Sequence, residues 1–398
     1  MIASIRKHYN QNFSNNTYLL FLQEMERYTQ HKIPFRIAET PVFIDRAFSH
    51  KLRNAGSDII RFIQGPGFKS ATKGAIPAPC HVPGEDNQSL FIALDFAVCK
   101  NQLGEYHPQL IEMQGFPSLF AYQNYLAHTF RTYFRIPDAL HHLLNGMDYG
   151  TYNQYLSQVL LGNHQPQHVI LLEIEPDKQP TAIDFIITEK ISGIKAVCIS
   201  SLIREGRQLY YLRDGIKTPI KRIYNRIIFD ELLRRTDLTR SYNLTEEVDV
   251  EWAGHPNWFF RISKYTMPLI QSAFIPDCYF LDQLNPIPED LEHYVLKPLF
   301  SFSGNGVRFH VEKKDIDAIP SKERNQYILQ RKVQYEPCVE SPDGLIKCEI
   351  RLLYIYNQVN ESYDLVTNLA RLSRGEMIGT KYNKDKTWVG GTVGFFEL

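Results

Sequence analysis

Apolar positions along the chain change period several times, and each change predicts an element. Over the first 63 residues they recur three and four apart, as at Tyr18, Leu19, Phe21, Leu22, Met25 and Tyr28, which predicts packing helices. The segment 64–86, QGPGFKSATKGAIPAPCHVPGED, is too rich in glycine and proline for regular structure. It reads as a connector, or as a lid carrying Lys69 and Lys73. Two strand patterns follow, SLFIALDFAV (89–98) and PQLIEMQGF (108–116), separated by a polar stretch with Gly104 near its middle. A helical pattern over 120–144 ends in His141 and His142, which point about 100° apart on a helix and read as surface residues.

Short apolar runs at 169–174, 182–187 and 196–200 alternate with polar stretches and predict strands of a small α/β unit. A hairpin turning at Asp214 and Gly215 continues it, then a run over 220–230 in which Arg222, Tyr224 and Arg226 alternate along a solvated face or a substrate cleft. After a polar stretch at 237–249, Lys264 falls in or at the start of a helix. Strands are expected at 294–296, 307–311, 327–333, 346–356 and 365–372. No repeat of solenoid period and no low-complexity tract interrupts the chain. The organisation expected is 1–125, helices plus the first hairpin; 126–250, the α/β unit; and 251–398, the remaining strands.

Composition narrows this picture. At 398 residues, 43% apolar and 13% aromatic, the chain has material for sizeable cores. Lysine plus arginine and aspartate plus glutamate balance at 44 each, so overall charge draws it to neither nucleic acid nor a membrane surface. The six cysteines are widely spaced without a CxxC pair, as in the reduced thiols of a cytoplasmic protein. Neither a leader peptide nor a run long enough to span a bilayer is evident.

Two stretches carry candidate chemistry. In EHYVLKPLFSFSGNGVRFHV (292–311), Lys297 precedes a Ser/Gly/Asn turn in which Gly304 and Gly306 allow backbone N–H groups close to an anion, a hairpin cradle for phosphate. In the earlier hairpin, a turn centred between Leu103 and Gly104 places Asp95 opposite Glu112, with Gln114 on the same face. Bare carboxylates so placed repel by roughly 4 kcal/mol at about 4 Å and an effective dielectric near 20. A divalent cation relieves that, and Asp, Glu and an amide are the hard oxygen donors suited to Mg²⁺ shared with nucleotide phosphates. A one-residue slip in register sends Glu112 to the other face.

Several short motifs together resemble the ATP-grasp superfamily, in particular its circularly permuted branch typified by glutathionylspermidine synthase. LDF and LIEMQGFPSLFAY resemble the paired metal strands, ISKYTMP the helix whose lysine reaches phosphate, YVLKPLFSFSGNGV the lysine strand and glycine-rich lid, and YILQRKV the hinge beside adenine. The acidic strands precede the lid and hinge, as a permuted chain requires. The resemblance implies an α/β ATP-grasp fold and an ATP-dependent carboxylate–amine ligase working through an acyl-phosphate.

By the same resemblance Asp95, Glu112 and Gln114 hold Mg²⁺, while Lys264 and Lys297 neutralise phosphate. Ser303, Gly304, Asn305 and Gly306 close over the phosphates, Gln330, Arg331 and Lys332 form the adenine hinge, and Arg351 stabilises the transferred phosphoryl group. Gln114 stands in place of the family's usual asparagine, and Ala93 in place of a substrate-contacting arginine. These departures leave room for a nucleotide-binding scaffold without turnover, and a small-molecule kinase is a third reading of the same fold.

Overall fold

The computed structural model describes residues 1–300, 306–375, 378, 383 and 385–398. Its centre is a six-stranded antiparallel sheet. Strand Phe91–Lys100 lies between Tyr106–Gln114 and the long strand Gly344–Asn357, which pairs in turn with Ser362–Ser373. The first of these is buried from Phe91 to Cys99, which explains its nearly unbroken apolar run. Helices Asn15–Thr29 and Arg46–Ile63 lay Phe21, Met25, Phe48, Leu52 and Ile59 into the core they share with this sheet. Leu19, expected on that face, is exposed.

A second, parallel sheet is built from Val169–Glu173, Lys195–Cys198, Arg222–Asn225 and Glu251–Ala253. Its edge strand lies beyond the boundary expected at 250, and helix Phe120–Tyr133 runs across the one expected at 125. The run at 182–187 is a helix, Ala182–Ser192, rather than a strand. It is apolar because it is buried on several sides, and Gly193 at φ 74° ends it. Asp184 of this helix accepts the N–H groups of Ala121 (3.1 Å) and Tyr122 (2.9 Å) and pairs with Arg226 at 2.7 Å. Arg226 therefore lines neither a cleft nor a wet face; it is a buried partner.

The helix expected to reach Leu144 stops at Tyr133, and His142 is buried, its Nε2 2.8 Å from Asn124 Oδ1. Burial drives its pKa down to about 3, so it is neutral rather than a surface imidazole. The glycine- and proline-rich segment 64–86 is a pinned connector. Glu85 accepts from Arg261 (2.8 Å) and Asn257 (2.8 Å) and pairs with Lys69 (3.0 Å), so that lysine is engaged within the connector. All six cysteines are free thiols, and among the described residues no helix is long and apolar enough to cross a membrane.

The third sheet has three antiparallel strands, Cys278–Phe280, Tyr327–Arg331 and Tyr294–Pro298. One face closes a small core of its own around Leu281, Leu296, Ile316 and Leu329. The other carries Cys278, Val295, Lys297, Ile328 and Gln330, by the alternation of side chains along paired strands. The strand expected over 307–311 is a single bridge, with Arg308 and Leu296 exchanging backbone hydrogen bonds of 2.9 and 3.0 Å.

Candidate active site: the seam between the acidic hairpin and the lysine sheet

Strand Tyr106–Gln114 is the edge of the central sheet, and an unpaired edge must be covered. Leu110 N–H donates to Phe274 C=O (2.7 Å) and Gly115 N–H to Ile262 C=O (2.8 Å), so the 258–276 segment lies along it. Gly115 is obligatory at this crossing, because a Cβ would stand 2.4 Å from the Trp258 carbonyl oxygen. The three-stranded sheet covers the rest through side chains. Lys297 Nζ donates to Ile111 C=O at 3.1 Å, and Gln330 Nε2 to Leu110 C=O at 3.4 Å.

Asp95 does pair with Glu112, and Ala93 with Gln114, but by a different route from the one expected. Pairs from Lys100–Tyr106 to Phe96–Leu110 centre the turn on Leu103 itself, and a bulge between Asp95 and Phe96 then shifts the register by one. Ile111 is the extra residue, and the carbonyl that Lys297 takes is the one on this bulge. The bulge thus sets both the carboxylate pair and the lysine's landing point.

Asp95 is 1% exposed, and a buried carboxylate needs partners. Arg351, directly opposite on the neighbouring strand, holds it with two hydrogen bonds, Nη2 to Oδ2 at 2.7 Å and Nε to Oδ1; Arg371 Nη2 adds a third at 2.7 Å. Burial pushes the Asp95 carboxyl upward, but the two guanidinium groups outweigh it and hold the pKa below the ordinary range. Glu349 pairs with Arg371 and accepts from Tyr335 Oη at 3.0 Å; burial wins there, and its pKa lies above the usual carboxylate value. Lys264 Nζ lies 3.4 Å from Glu112 Oε1.

The repulsion expected between Asp95 and Glu112 is therefore relieved by the protein's own cations. Asp95 is a clamped carboxylate rather than an open metal ligand, and Arg351 spends its fork on it, with Nη1 3.4 Å from Ser118 Oγ. Among the described residues no three His, Cys, Asp or Glu side chains converge to hold a metal. The remaining hard donors of the hairpin are half-buried Gln114 and Glu112, the latter already facing Lys264. That set fits Mg²⁺ only where phosphate and water complete the coordination, which is how this ion is commonly bound.

Lys297 is 8% exposed. Burial lowers its pKa to about 8; Glu112 opposes the shift and Lys264 adds to it. A lysine so placed lacks full compensation, and an anion in the seam would supply it. A narrow cleft opens here between Glu112, Gln114, Ile262, Lys264 and Phe300, with a cavity volume of only about 20 Å³. That is far below the size of a ligand pocket.

At the hinge, Arg331 N–H donates to Asp277 C=O (2.8 Å) and Lys332 N–H to His293 C=O (2.7 Å). Those two main-chain donors, expected to meet a nucleobase, are committed within the protein; the third hinge residue, Gln330, is buried in the seam. Gly306 adopts φ 73° against Pro298, and Ser303, Gly304 and Asn305 lie outside the described residues. Sequence reading missed Arg371 and Glu349. Their signal was a charge within the otherwise apolar runs CEIRLL and LVTNLARL.

No protein-family model matches the chain, and neither does any curated protein. Among solved structures, a glutathione synthetase-like effector from Globodera pallida, determined in its apo form, matches with a TM-score of 0.56. The alignment covers 97% of this chain and 98% of that one at 10% identity. The two chains share a fold. At this identity the likeness speaks to architecture rather than to activity.

Proposed function

We propose that this chain is an ATP-dependent ligase of the ATP-grasp type, in circularly permuted order, joining a carboxylate to an amine with ATP and Mg²⁺ bound in the seam. One observation carries the reading. Residues nearly two hundred positions apart, the Asp95–Glu112 pair and Lys297, meet at the Ile111 bulge, with Lys264 beside them. The fold shared with a glutathione synthetase-like protein supports it.

In this mechanism Lys264 and Lys297 take the triphosphate charge. Glu112 and Gln114 would hold Mg²⁺, whose contribution is to neutralise phosphate charge. Asp95 orients Arg351 and Arg371 toward the reacting end of the seam. A substrate carboxylate oxygen attacks the γ-phosphorus and ADP leaves; an amine then attacks the acyl carbon, inorganic phosphate departs and the ammonium loses its proton. Catalysis is positioning and charge neutralisation, and it needs no nucleophilic side chain. Closure of the seam keeps water from the acyl-phosphate.

The engagement of Arg351 by Asp95, with Gln114 and Ala93, favours a second reading, a nucleotide-binding scaffold without turnover. Incubation with Mg·ATP, pooled carboxylic acids and hydroxylamine separates the two. A ligase yields ADP and hydroxamate in equal amounts, and Glu112→Gln removes both while leaving the circular dichroism spectrum unchanged. ATP binding without either product sustains the scaffold instead.

A further inference from the structure

Arg351 faces the seam, so by alternation Leu352 and Tyr354 of the same strand face the helix Arg46–Ile63 on the opposite side of the central sheet. Glycine is unfavourable in mid-helix, yet Gly56 stands there. A Cβ at that position would lie 1.9 Å from Tyr354 Oη, so the glycine makes room for the hydroxyl. Tyr354 is 4% exposed, and its Oη has no hydrogen-bond partner. A buried polar group left unsatisfied is costly, and such groups are rare in folded proteins. Burial raises the phenol's pKa, with Arg53 opposing, so the group keeps its proton. Arg53 donates Nη2 to Leu144 C=O at 2.8 Å, but its Nε is also buried without a partner. An arginine can only donate, so the group missing between these two side chains is an acceptor.

Beside Tyr354 lies a cavity of about 380 Å³, lined also by Ser57, Ile60, Arg61, Gln64 and Tyr363. That volume is within the range of small-molecule sites. Its other polar side chains are engaged or open to water. Tyr363 Oη donates to Ser89 C=O (2.7 Å), Gln64 Nε2 donates to Glu361 C=O (3.1 Å), Arg61 pairs with Asp58 (3.0 Å), and Ser57 is exposed. We infer that this cavity binds a small carboxylate with an apolar body, whose oxygens accept from Tyr354 Oη and Arg53 Nε while Ile60 and the two tyrosine rings cover the rest. Two donors, one of them cationic, favour an anion over a neutral acceptor. None of the residues assigned to ATP takes part, so the two sites stand or fall separately.

Calorimetric titration with benzoate and with neutral benzamide tests this on the wild type and on Tyr354→Phe, which removes only the hydroxyl. Benzoate should bind the wild type at least about tenfold tighter than benzamide. Tyr354→Phe should lose at least about tenfold in benzoate affinity. Without ligand it should unfold at a higher urea concentration than the wild type, because a buried group without a partner is gone. Benzoate bound no tighter than benzamide, or bound equally by the variant, overturns the inference. So does a lower urea midpoint for the variant, which would mean that the hydroxyl already has a partner such as a buried water. Benzoate held in the seam would lose affinity in Lys297→Ala and keep it in Tyr354→Phe, and that result overturns the inference as well.

Discussion

Asp95, Arg351 and Glu349, buried, and half-buried Arg371 form a cluster in which each charge is held by another, and only Asp95 and Arg351 were candidates from sequence. A buried ion pair adds little when made but costs much when half of it is removed. Asp95→Asn keeps the volume and strands the buried Arg351 guanidinium, while Arg371 keeps Glu349, so unfolding free energy should fall by about 3 kcal/mol, read as a lower urea midpoint at unchanged slope. A loss below about 1 kcal/mol would show that water reaches the cluster and that Asp95 is free to take other ligands. The carboxylates were legible because they interrupt apolar strands. Their partners were not, because Arg351 reaches Asp95 through a strand pairing between residues 256 positions apart, and nothing local encodes that pairing.

Among the elements, the acidic hairpin was the most legible and its bulge the least. Alternation gave both strands, and glycine gave the turn, but the extra residue at Ile111 has no signature in the side-chain pattern. The run at 182–187 was misread because a short apolar stretch fits a buried strand or a buried helix equally, and its cap at Gly193 lies beyond it. Gly115, where the hairpin crosses the Trp258 carbonyl, leaves no room for a Cβ between the hairpin and the Lys264 segment. Gly115→Ala forces backbone against backbone and should lower the unfolding free energy by about 1–3 kcal/mol. It should also separate Glu112 from Lys264 and weaken triphosphate binding beyond what the stability loss accounts for. A variant as stable as the parent would mean that the crossing yields easily.

For the whole molecule, the mixed α/β class was legible from the alternation of strand and helix patterns, whereas the convergence of the two informative stretches was implied by the family resemblance alone. The extent of the parallel sheet across residue 250 was not, since its edge strand Glu251–Ala253 is three residues long. The account as a whole depends on Lys297 answering to a triphosphate in the seam, and titration calorimetry of Lys297→Ala and wild type against Mg·ATP and adenosine at pH 7 and pH 9 tests it most directly. In wild type, the lysine is charged below its pKa of about 8 and neutral above it. Bound triphosphate favours the charged form, so binding takes up a proton above pH 8 and affinity weakens by up to about tenfold per pH unit. The account predicts that Lys297→Ala loses ATP affinity at pH 7, keeps that for adenosine, and no longer shows the wild-type weakening between pH 7 and 9. Equal losses for ATP and adenosine, or a wild-type affinity indifferent to pH, would contradict it.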